Sequence, residues 1–578
     1  PASAKKTMEL PRSPWLTLLL LLAVGVMISG FSLAFSGSEG IGWGGSPVLF
    51  FWNTLPILLL LGLVWLASGL SWLAVLVTGT LIFLLTGANY FKVMFRDDPM
   101  VWSDLFRIRE GFQMSGQYDV KLTPLMGVWI AAMIAAAVLL FFLGKGKPRA
   151  TVRMLALTAV GMFSLVCFNY IYPNDQRYTQ LAGDYAKDEG EAYAATGIVY
   201  PFFHSAGDYM NSQGNYDERA AREELNQYTD ATIPEDKKVN LITIQLEAFA
   251  DLSVFDIDGL SPDVYKDFHD IQAASYSGNL ITDIFAGGTT ETEWDSTAWY
   301  LKSQGYTANG AHPCRDWFYD RKNVNPNLGL DDYLFTDNYY YQFVEKDADV
   351  AYDDVFFPDL QNRLTEYFQT NDAPLFSFNV TYQGHGPYNT EKTYWGSEYC
   401  TGNYEPKTLN ALNNYFHLVQ DTSHYVKEFM SYLDSLDEPV VLVLYGDHKP
   451  WMGNHGVIYE GMGISLDTTT EQGFRNYYST WYTIWGNQAA KTQLGQSFQG
   501  QGPDLSPCFL MNQVFEMIGW EGSAYMQAQR ETAHMLPVLH TTGWVEENGV
   551  LTDSPSPAAK ARMEDFQNLS QYDRTKYE

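Results

Sequence analysis

Long apolar runs dominate the first 171 residues of the chain. Five of these runs have about the 20 residues that a helix needs to cross a lipid bilayer. They lie at 15–35, 48–67, 71–90, 125–143 and 151–171. The pattern predicts a multi-pass domain of five transmembrane helices.

Basic residues flank these runs unevenly. Three precede the first run, and four more lie in or just after the loop between the fourth and fifth runs: Lys5, Lys6, Arg12, Lys145, Lys147, Arg149 and Arg153. Because lysine and arginine favour the cytoplasmic side, we expect the N-terminus to lie inside the cell. An odd number of spans then places everything after residue 171 outside. We expect a multi-pass protein of the cell membrane whose catalytic domain is extracellular.

The pattern changes after the fifth run. Residues 172–238 are polar and mixed, which is typical of a linker with short helices. From residue 239, buried-strand patterns at 239–246, 374–380 and 439–445 alternate with helical patterns such as 290–303 and 409–436. Such alternation predicts an α/β domain with a mainly parallel central sheet. The expected domains are 1–171 in the membrane, 172–238 as an extracellular linker, and 239–578 as an α/β domain with a C-terminal tail.

Charge and cysteine content narrow the class of protein to which the chain can belong. The net charge is −31 overall, and residues 172–578 alone carry −36. An acidic domain argues against nucleic-acid binding, which needs a basic surface. Three of the four cysteines lie in this half, at positions 314, 400 and 508, without close spacing. A disulfide framework therefore does not hold this fold.

Polar residues follow the predicted strands at their carboxyl ends, where open α/β sheets bind their ligands. Glu247 follows the first strand, His385 follows the second at a short distance, and the pair Asp447–His448 follows the third. Carboxylates with an imidazole suit a divalent cation. We expect Mn²⁺, with Mg²⁺ and Zn²⁺ as alternatives.

The segment 285–294, F-A-G-G-T-T-E-T-E-W, places two glycines before Thr289, which opens a predicted helix. A helix N-terminus offers N–H groups and a positive dipole end to a phosphate. A hydroxyl beside a metal can act as a nucleophile. The plainer interpretation is a threonine that caps a helix.

Together these motifs resemble the lipoteichoic acid synthase family. The similarity covers Glu247, G-G-T-T-E-T-E at 287–293, G-H-G-P-Y at 384–388 and Y-G-D-H at 445–448, in the family's order. The resemblance implies that 239–578 is a sulfatase-like catalytic domain with a C-terminal tail. It also implies a phosphotransferase that moves glycerol phosphate from phosphatidylglycerol onto a growing polymer or a glycolipid and releases diacylglycerol. It also implies that Glu247, Thr289, Asp447 and His448 bind the metal and that Thr289 is the nucleophile.

The same resemblance assigns substrate-binding roles. His385 matches a residue that holds the substrate phosphate, and Arg321, in F-Y-D-R, matches a phosphate-binding arginine. A guanidinium suits phosphate because it donates hydrogen bonds in a fork. His312 fits a further substrate position. Cys314 departs from the family, which has an aspartate near the glycerol group.

Three alternatives stay open. Transferases of another alcohol phosphate, such as phosphoethanolamine, use the same glutamate, threonine and Asp-His pair, but they commonly carry several disulfides. A true sulfatase needs a C-x-P-x-R nucleophile segment, whereas Cys314 lies in P-C-R-D. A catalytically inactive envelope scaffold would not need a competent residue at every metal position.

Overall fold

The computed structural model describes residues 13–35, 46–96, 99–107, 121–183, 189–214, 217–283, 296–318, 321–346, 348–453 and 456–577. The chain forms two compact units, Pro1–Asn215 and Tyr216–Glu578. The boundary between them lies inside the stretch 172–238 that the sequence assigns to a linker.

The first unit contains five apolar helices that are long enough to span a membrane. They are α1 (Pro14–Leu33), α2 (Pro47–Ser68), α3 (Ser71–Arg96), α4 (Pro124–Leu143) and α5 (Ala150–Val166), which continues to Ile171 as a π-helix. The predicted multi-pass domain is confirmed, with bounds close to the apolar runs. Proline occupies the first turn of α1, α2 and α4, where its missing N–H costs no hydrogen bond.

Buried polar side chains join the apolar helices to one another. The Thr54 hydroxyl donates to Ser29 Oγ at 2.7 Å, and Ser32 and Thr86 share a hydrogen bond of 2.9 Å. Small hydroxyl residues of this kind are typical of helix packing in lipid, where the apolar effect between helices is weak. The remaining helices of this unit are α6 (Asp175–Ala182), α7 (Glu189–Thr196) and α8 (Val199–Gly214).

The second unit is built on an eight-stranded sheet. In chain order its strands are β1 (Asn240–Leu246), β2 (Tyr276–Gly278), β3 (Thr307–Ala311), β4 (Asp332–Leu334), β5 (Leu375–Val380), β6 (Val440–Gly446), β7 (Tyr482–Gly486) and β8 (Gly500–Gln501). Their spatial order is β4-β3-β5-β1-β6-β7-β2-β8. The first five of these are mutually parallel, and β7 runs antiparallel to β6. The predicted mainly parallel α/β fold is confirmed. A separate hairpin pairs β9 (Val545–Glu547) with β10 (Val550–Thr552).

Helices cover both faces of this sheet. They are α9 (Glu218–Leu225), α10 (Lys266–Ala273), α11 (Thr297–Ser303), α12 (Arg321–Asn327), α13 (Asp353–Thr370), α14 (Pro406–Asp434), α15 (Val457–Gly461), α16 (Glu471–Tyr478), α17 (Gln488–Leu494), α18 (Leu510–Ile518), α19 (Ala524–Met535) and α20 (Pro557–Tyr577).

Strand alternation separates two apolar cores. Leu442 and Leu444 of β6 face the core that α13 and α14 cover, whereas Val441 and Val443 face the core that α11 and α18 cover. Because both faces are buried, the strand reads as a continuous apolar run in the sequence. Burial on both sides also fixes the register, since a slip of one residue would exchange the two faces. The carboxyl ends of the parallel strands are thereby held at one edge.

Candidate active site

Two neighbouring parallel strands bring three sequence-predicted ligands together. Glu247 directly follows β1, and Asp447 and His448 directly follow β6. His448 Nε2 lies 3.2 Å from Glu247 Oε1 and 3.7 Å from Asp447 Oδ2. The three ligand atoms lie within 4.8 Å of one another, and they form a compact cluster that could hold a metal ion.

The hydrogen bonds of this cluster fit a cation. His448 Nδ1 donates to the carbonyl of Lys449 at 2.7 Å, so Nε2 is the ring nitrogen that faces Glu247. Nε2 and Glu247 Oε1 are both buried, and apart from each other they have no hydrogen-bond partner within the described residues. A carboxylate buried in this way is costly unless a positive charge lies beside it, and either a proton on Nε2 or a metal ion between the two atoms supplies that charge. The donor set, two carboxylates and one imidazole, suits a divalent metal.

Asp447 is held by three hydrogen bonds. The Gln245 side-chain amide donates to Oδ2 at 2.8 Å, and the backbone N–H groups of Ala248 and His448 each donate to Oδ1 at 2.9 Å. Such contacts orient a ligating carboxylate before the metal arrives.

A hydrogen bond and close packing also fix the backbone around Glu247. Its N–H donates to Thr381 Oγ1 at 3.1 Å. Ala248 adopts a φ of 51°, in the left-handed region that alanine rarely occupies, and such conformations cluster at functional sites. Gly384 packs so closely that an added Cβ would lie 1.9 Å from the Glu247 carbonyl oxygen. The loop after β5 therefore needs glycine at this position.

The charges within the cluster shift the pKa values of its members. Burial raises the pKa of Glu247, but the neighbouring His448 outweighs it and brings the pKa to about 2. Burial and the charge of Glu247 raise the pKa of Asp447 to about 6. Burial lowers the pKa of His448, but the two carboxylates raise it to about 9. Asp447 and His448 hold their protons more tightly than usual, which indicates excess negative charge that a divalent cation would neutralise.

His385 and His312 belong to an aromatic group beside the cluster. The His385 ring stacks on Tyr382, with centroids 5.0 Å apart, and meets the edge of Phe318 at 5.6 Å. Phe318 also packs against His312 at 5.8 Å. Both histidines are near enough to Glu247 to lower the pKa of its carboxyl. The structure thus brings both imidazoles to the metal cluster.

His312 follows β3 and is fully buried. Burial, together with the charge of Arg321, lowers the pKa of His312 well below its ordinary value, so the ring is neutral. Neither ring nitrogen has a hydrogen-bond partner within the described residues. A buried imidazole in this state can bind a hydroxyl or a phosphate oxygen of a ligand.

Arg321 begins α12 and lies close to this group. It adds to the effect of burial in lowering the pKa of His312, and it hydrogen-bonds to Tyr333, whose pKa burial raises to about 12. Cys314 is fully buried, and burial raises the pKa of its thiol to about 12. This position therefore carries a neutral thiol where the resemblance leads one to expect a carboxylate. None of the four cysteines, all of which lie in the described parts of the chain, forms a disulfide.

Thr289 and its segment 285–294 lie outside the described residues, so the nucleophile stays a prediction. Sequence reasoning missed Gln245 and Thr381. The sequence gives one indication of a site role for Gln245, because it is a polar residue between the apolar residues at the end of a strand.

Comparison with known proteins supports the sulfatase-like prediction. Residues 295–518 match the Sulfatase family model. The match agrees with the sulfatase-like catalytic domain that the sequence predicts.

Three individual proteins are similar along the chain. A Rhizobium meliloti (strain 1021) protein, whose name links it to cyclic beta-1,2-glucan modification, is 23% identical over 610 residues, covering 98% of this chain and 92% of that protein. The structure of Streptococcus pyogenes phosphoglycerol transferase GacH with sn-glycerol-1-phosphate is 19% identical, with a TM-score of 0.45, and covers 62% of this chain and 94% of that one. Neisseria meningitidis lipooligosaccharide phosphoethanolamine transferase A is 13% identical, with a TM-score of 0.46, and covers 84% of this chain and 90% of that one.

Proposed function

We propose that this protein transfers glycerol phosphate from phosphatidylglycerol to a hydroxyl acceptor outside the cell. The match of residues 295–518 to the Sulfatase family model, after five helices that are long and apolar enough to span a membrane, supports this proposal. The acceptor is a glycan, a glycolipid or a growing glycerol-phosphate polymer, and the lipid product is diacylglycerol. The observation that carries the proposal is the buried cluster of Glu247, Asp447 and His448 at two strand ends.

The metal site comprises these three residues and Thr289. A divalent cation held there, Mn²⁺ in our proposal, supplies positive charge that lowers the pKa of a neighbouring hydroxyl and neutralises phosphate oxygens. Gln245 and the backbone of Ala248 keep the Asp447 carboxylate in its ligating orientation.

The transfer proceeds in two displacements. The Thr289 oxygen attacks the lipid phosphorus, the bond from phosphorus to the diacylglycerol oxygen breaks, and that oxygen takes up the proton that Thr289 gives up. The acceptor hydroxyl then attacks the same phosphorus, the bond to Thr289 breaks, and the acceptor's proton returns to Thr289. One phosphodiester is lost and one is formed, so no other reactant is needed. Splitting the transfer lets one site serve two bulky partners in turn.

Arg321, His385 and His312 bind the substrate in this scheme. A guanidinium and an imidazole can donate to the phosphate oxygens that the nucleophile does not displace. The closeness of His385 and His312 to the Glu247 carboxylate supports these roles. The neutral Cys314 thiol makes the glycerol pocket less acidic than the family pattern implies.

The similarity to the glucan-modification relative favours a sugar hydroxyl as the acceptor. The net charge of −36 over residues 172–578 points the same way. A polymer of glycerol phosphate is itself an anion and would be repelled, whereas a neutral glycan would not.

Labelled lipids test the proposal directly. The full-length protein in nanodiscs with Mn²⁺ should release diacylglycerol from phosphatidylglycerol and place labelled glycerol phosphate on an added acceptor. Glu247→Gln should abolish turnover, and the exposed Glu428→Gln on α14 is the matched control that should retain it. Preferential turnover of phosphatidylethanolamine would instead support the phosphoethanolamine alternative, and no turnover of either lipid would overturn the proposal.

A further inference from the structure

Two aromatic side chains are exposed on the loop that connects β5 to α14. Tyr394 is 55% exposed and Trp395 is 47% exposed. Their ring centroids lie 5.5 Å apart at an angle of 63°. The two rings are adjacent and form a small exposed aromatic patch in the second unit, and contiguous apolar patches on a surface commonly mark an interaction site.

The Trp395 ring has a fixed orientation. One face stacks on the His417 imidazole, with centroids 4.6 Å apart and planes at 20°. The Tyr399 hydroxyl shares a 2.8 Å hydrogen bond with His417 Nδ1, which holds the imidazole in turn. With one face occupied in this way, the tryptophan presents its other face outward. Tyr394 is positioned by Asn389, whose amide donates to its hydroxyl at 3.2 Å, and Lys392 Nζ lies over one face of its ring, 4.6 Å from the centroid, so the other face is the one left for a ligand.

Buried asparagines of α14 hold the backbone of this loop. Asn414 accepts from the Tyr394 N–H and donates to the carbonyls of Asn389 and Lys392, each at 2.9 Å. Asn413 accepts from the backbone N–H of Tyr399 at 3.0 Å. Asn413 and Asn414 are each only 2% exposed. A surface loop with no ligand to bind would not need such a framework, whereas a binding site gains affinity from preorganisation.

The same turn of α14 contacts the loop that carries Glu247. The Tyr415 side chain, next to Asn414, accepts a hydrogen bond from the Ala250 N–H at 3.0 Å and donates to the Ala248 carbonyl at 3.2 Å. At the other end of the aromatic loop, the Tyr388 hydroxyl donates to the Gly384 carbonyl at 2.6 Å, next to His385. The two exposed rings are therefore fixed to the same scaffold as the metal cluster.

We propose that Tyr394 and Trp395 form a platform on which sugar rings of a neutral glucan acceptor stack. This inference rests on the proposed function, because it assigns the acceptor of that reaction. A sugar ring has an apolar C–H face that suits an aromatic ring, and hydroxyls at its edge that suit the exposed Lys392 ammonium. Aromatic walls with a few placed polar groups are the usual lining of small-ligand sites.

The charges of the loop favour a neutral sugar over a membrane surface. Tyrosine and tryptophan also occur at membrane interfaces. However, Lys392 is the single lysine of this loop, and the neighbouring carboxylates of Glu391 and Glu398 are repelled by anionic lipid headgroups. They do not oppose the binding of an uncharged glucan.

Two measurements on the full-length protein in nanodiscs test the platform. Calorimetry with purified cyclic β-1,2-glucan should show binding to the wild type that weakens at least about tenfold in Trp395→Ala and in Tyr394→Ala, as expected for loss of an aromatic anchor. Trp395→Phe should recover part of the affinity, and the melting temperature should match the wild type in each variant used. Trp299→Ala is the matched control, because Trp299 is 45% exposed and belongs to α11, on the opposite face of the sheet.

The kinetic measurement separates this inference from the proposed function. In Trp395→Ala the apparent KM for glucan should rise at least about tenfold, while diacylglycerol release without glucan stays at the wild-type rate. Absence of glucan binding by the wild type, or unchanged glucan affinity in both variants, would overturn the platform. A defect confined to the KM for lipid would also overturn it and assign the rings to the membrane. Glucan binding that depends on Trp395 without any lipid turnover would support the platform and refute the proposed reaction.

Discussion

The Gln245 side chain donates to Asp447 Oδ2 across two neighbouring strands, at 2.8 Å. Gln245 pairs with Tyr445 in the β1–β6 register, so the bond joins the ends of the two strands that carry the metal cluster. The other oxygen of this carboxylate, Oδ1, accepts a hydrogen bond from the backbone N–H of Ala248. A group that orients a ligand in this way raises metal affinity without touching the metal.

We expect Gln245→Ala to lower Mn²⁺ affinity about 10- to 100-fold, the range typical for loss of a group that orients a ligand. Calorimetric titration of the metal-free protein measures the change. Thr243→Val is the control in the same strand, because it removes a hydrogen bond to the Ser377 carbonyl and leaves the cluster untouched. Equal affinities of Gln245→Ala and the wild type would show that the backbone contacts alone orient Asp447.

Metal removal should destabilise the catalytic unit. Without a cation, Glu247 is a buried carboxylate beside the partly buried Asp447, whose pKa is raised by burial and by the charge of Glu247. A ligand that binds only the folded state stabilises it by about 2.7 kcal/mol at 100 times its Kd. We expect a chelator to lower the melting temperature and Mn²⁺ to restore it. The Glu247→Gln variant should show neither effect, and a chelator effect of normal size in that variant would remove Glu247 from the site.

The strands and the cluster were predictable for the same physical reason. β1, β5 and β6 are buried on both faces, so each forms an apolar run that the sequence displays within about one residue of its observed bounds. Glu247 and Asp447 stood out because each directly follows such a run. β3, with the sequence T-A-N-G-A, has little strand propensity and is held by pairing with β4 and β5.

Other features depend on the tertiary structure and leave little trace in the sequence. β2 and β8 have three and two residues, too few for a periodic pattern. The role of Asn414 becomes visible only when the helix packs against the loop that it holds. Exposure distinguishes Trp395 from the many aromatic residues that fill the two cores, and the sequence does not encode exposure in any local pattern.

A buried carboxyl predicts a pH effect on stability. Asp353 begins α13, is fully buried, and accepts a hydrogen bond of 2.6 Å from the Thr422 hydroxyl. Burial raises its pKa from 3.8 to about 7. The folded state therefore binds this proton more tightly than the unfolded state. The stability that it contributes is fully present below about pH 4 and is lost as the pH rises through about 7, at a cost of up to about 4 kcal/mol.

Asp353→Asn keeps an oxygen for the Thr422 hydroxyl and removes the charge. We expect the variant to melt at a higher temperature than the wild type at pH 8, with the difference shrinking as the pH falls towards about 4. The exposed neighbour Asp354 provides the control, since Asp354→Asn changes the same group without burial. A difference in melting temperature that is the same at both pH values would contradict the role of Asp353 ionisation.

Topology is the next prediction, because the side of the membrane on which the catalytic unit lies rests on the charge pattern alone. A reporter that is active only outside the cytoplasm should be active when fused after Asp553, which follows β10. The same reporter fused after Gly146, between α4 and α5, should be inactive. The opposite pair of results would reverse the orientation and place the catalytic unit inside the cell.

The last prediction concerns the nucleophile. Thr289 and Thr290 are adjacent and chemically alike, so each is the control for the other. A threonine hydroxyl is a poor nucleophile in water, and the charge of a bound divalent cation would stabilise its alkoxide. Only the residue that lies within the metal cluster gains this activation, so we expect Thr289→Ala to lose all turnover and Thr290→Ala to retain part of it. Mass spectrometry of the protein trapped with phosphatidylglycerol should show a glycerol-phosphate adduct on Thr289. An adduct on Thr290, or turnover in Thr289→Ala, would move the nucleophile by one residue, and a single displacement without any adduct would remove the covalent step while leaving the metal cluster in place.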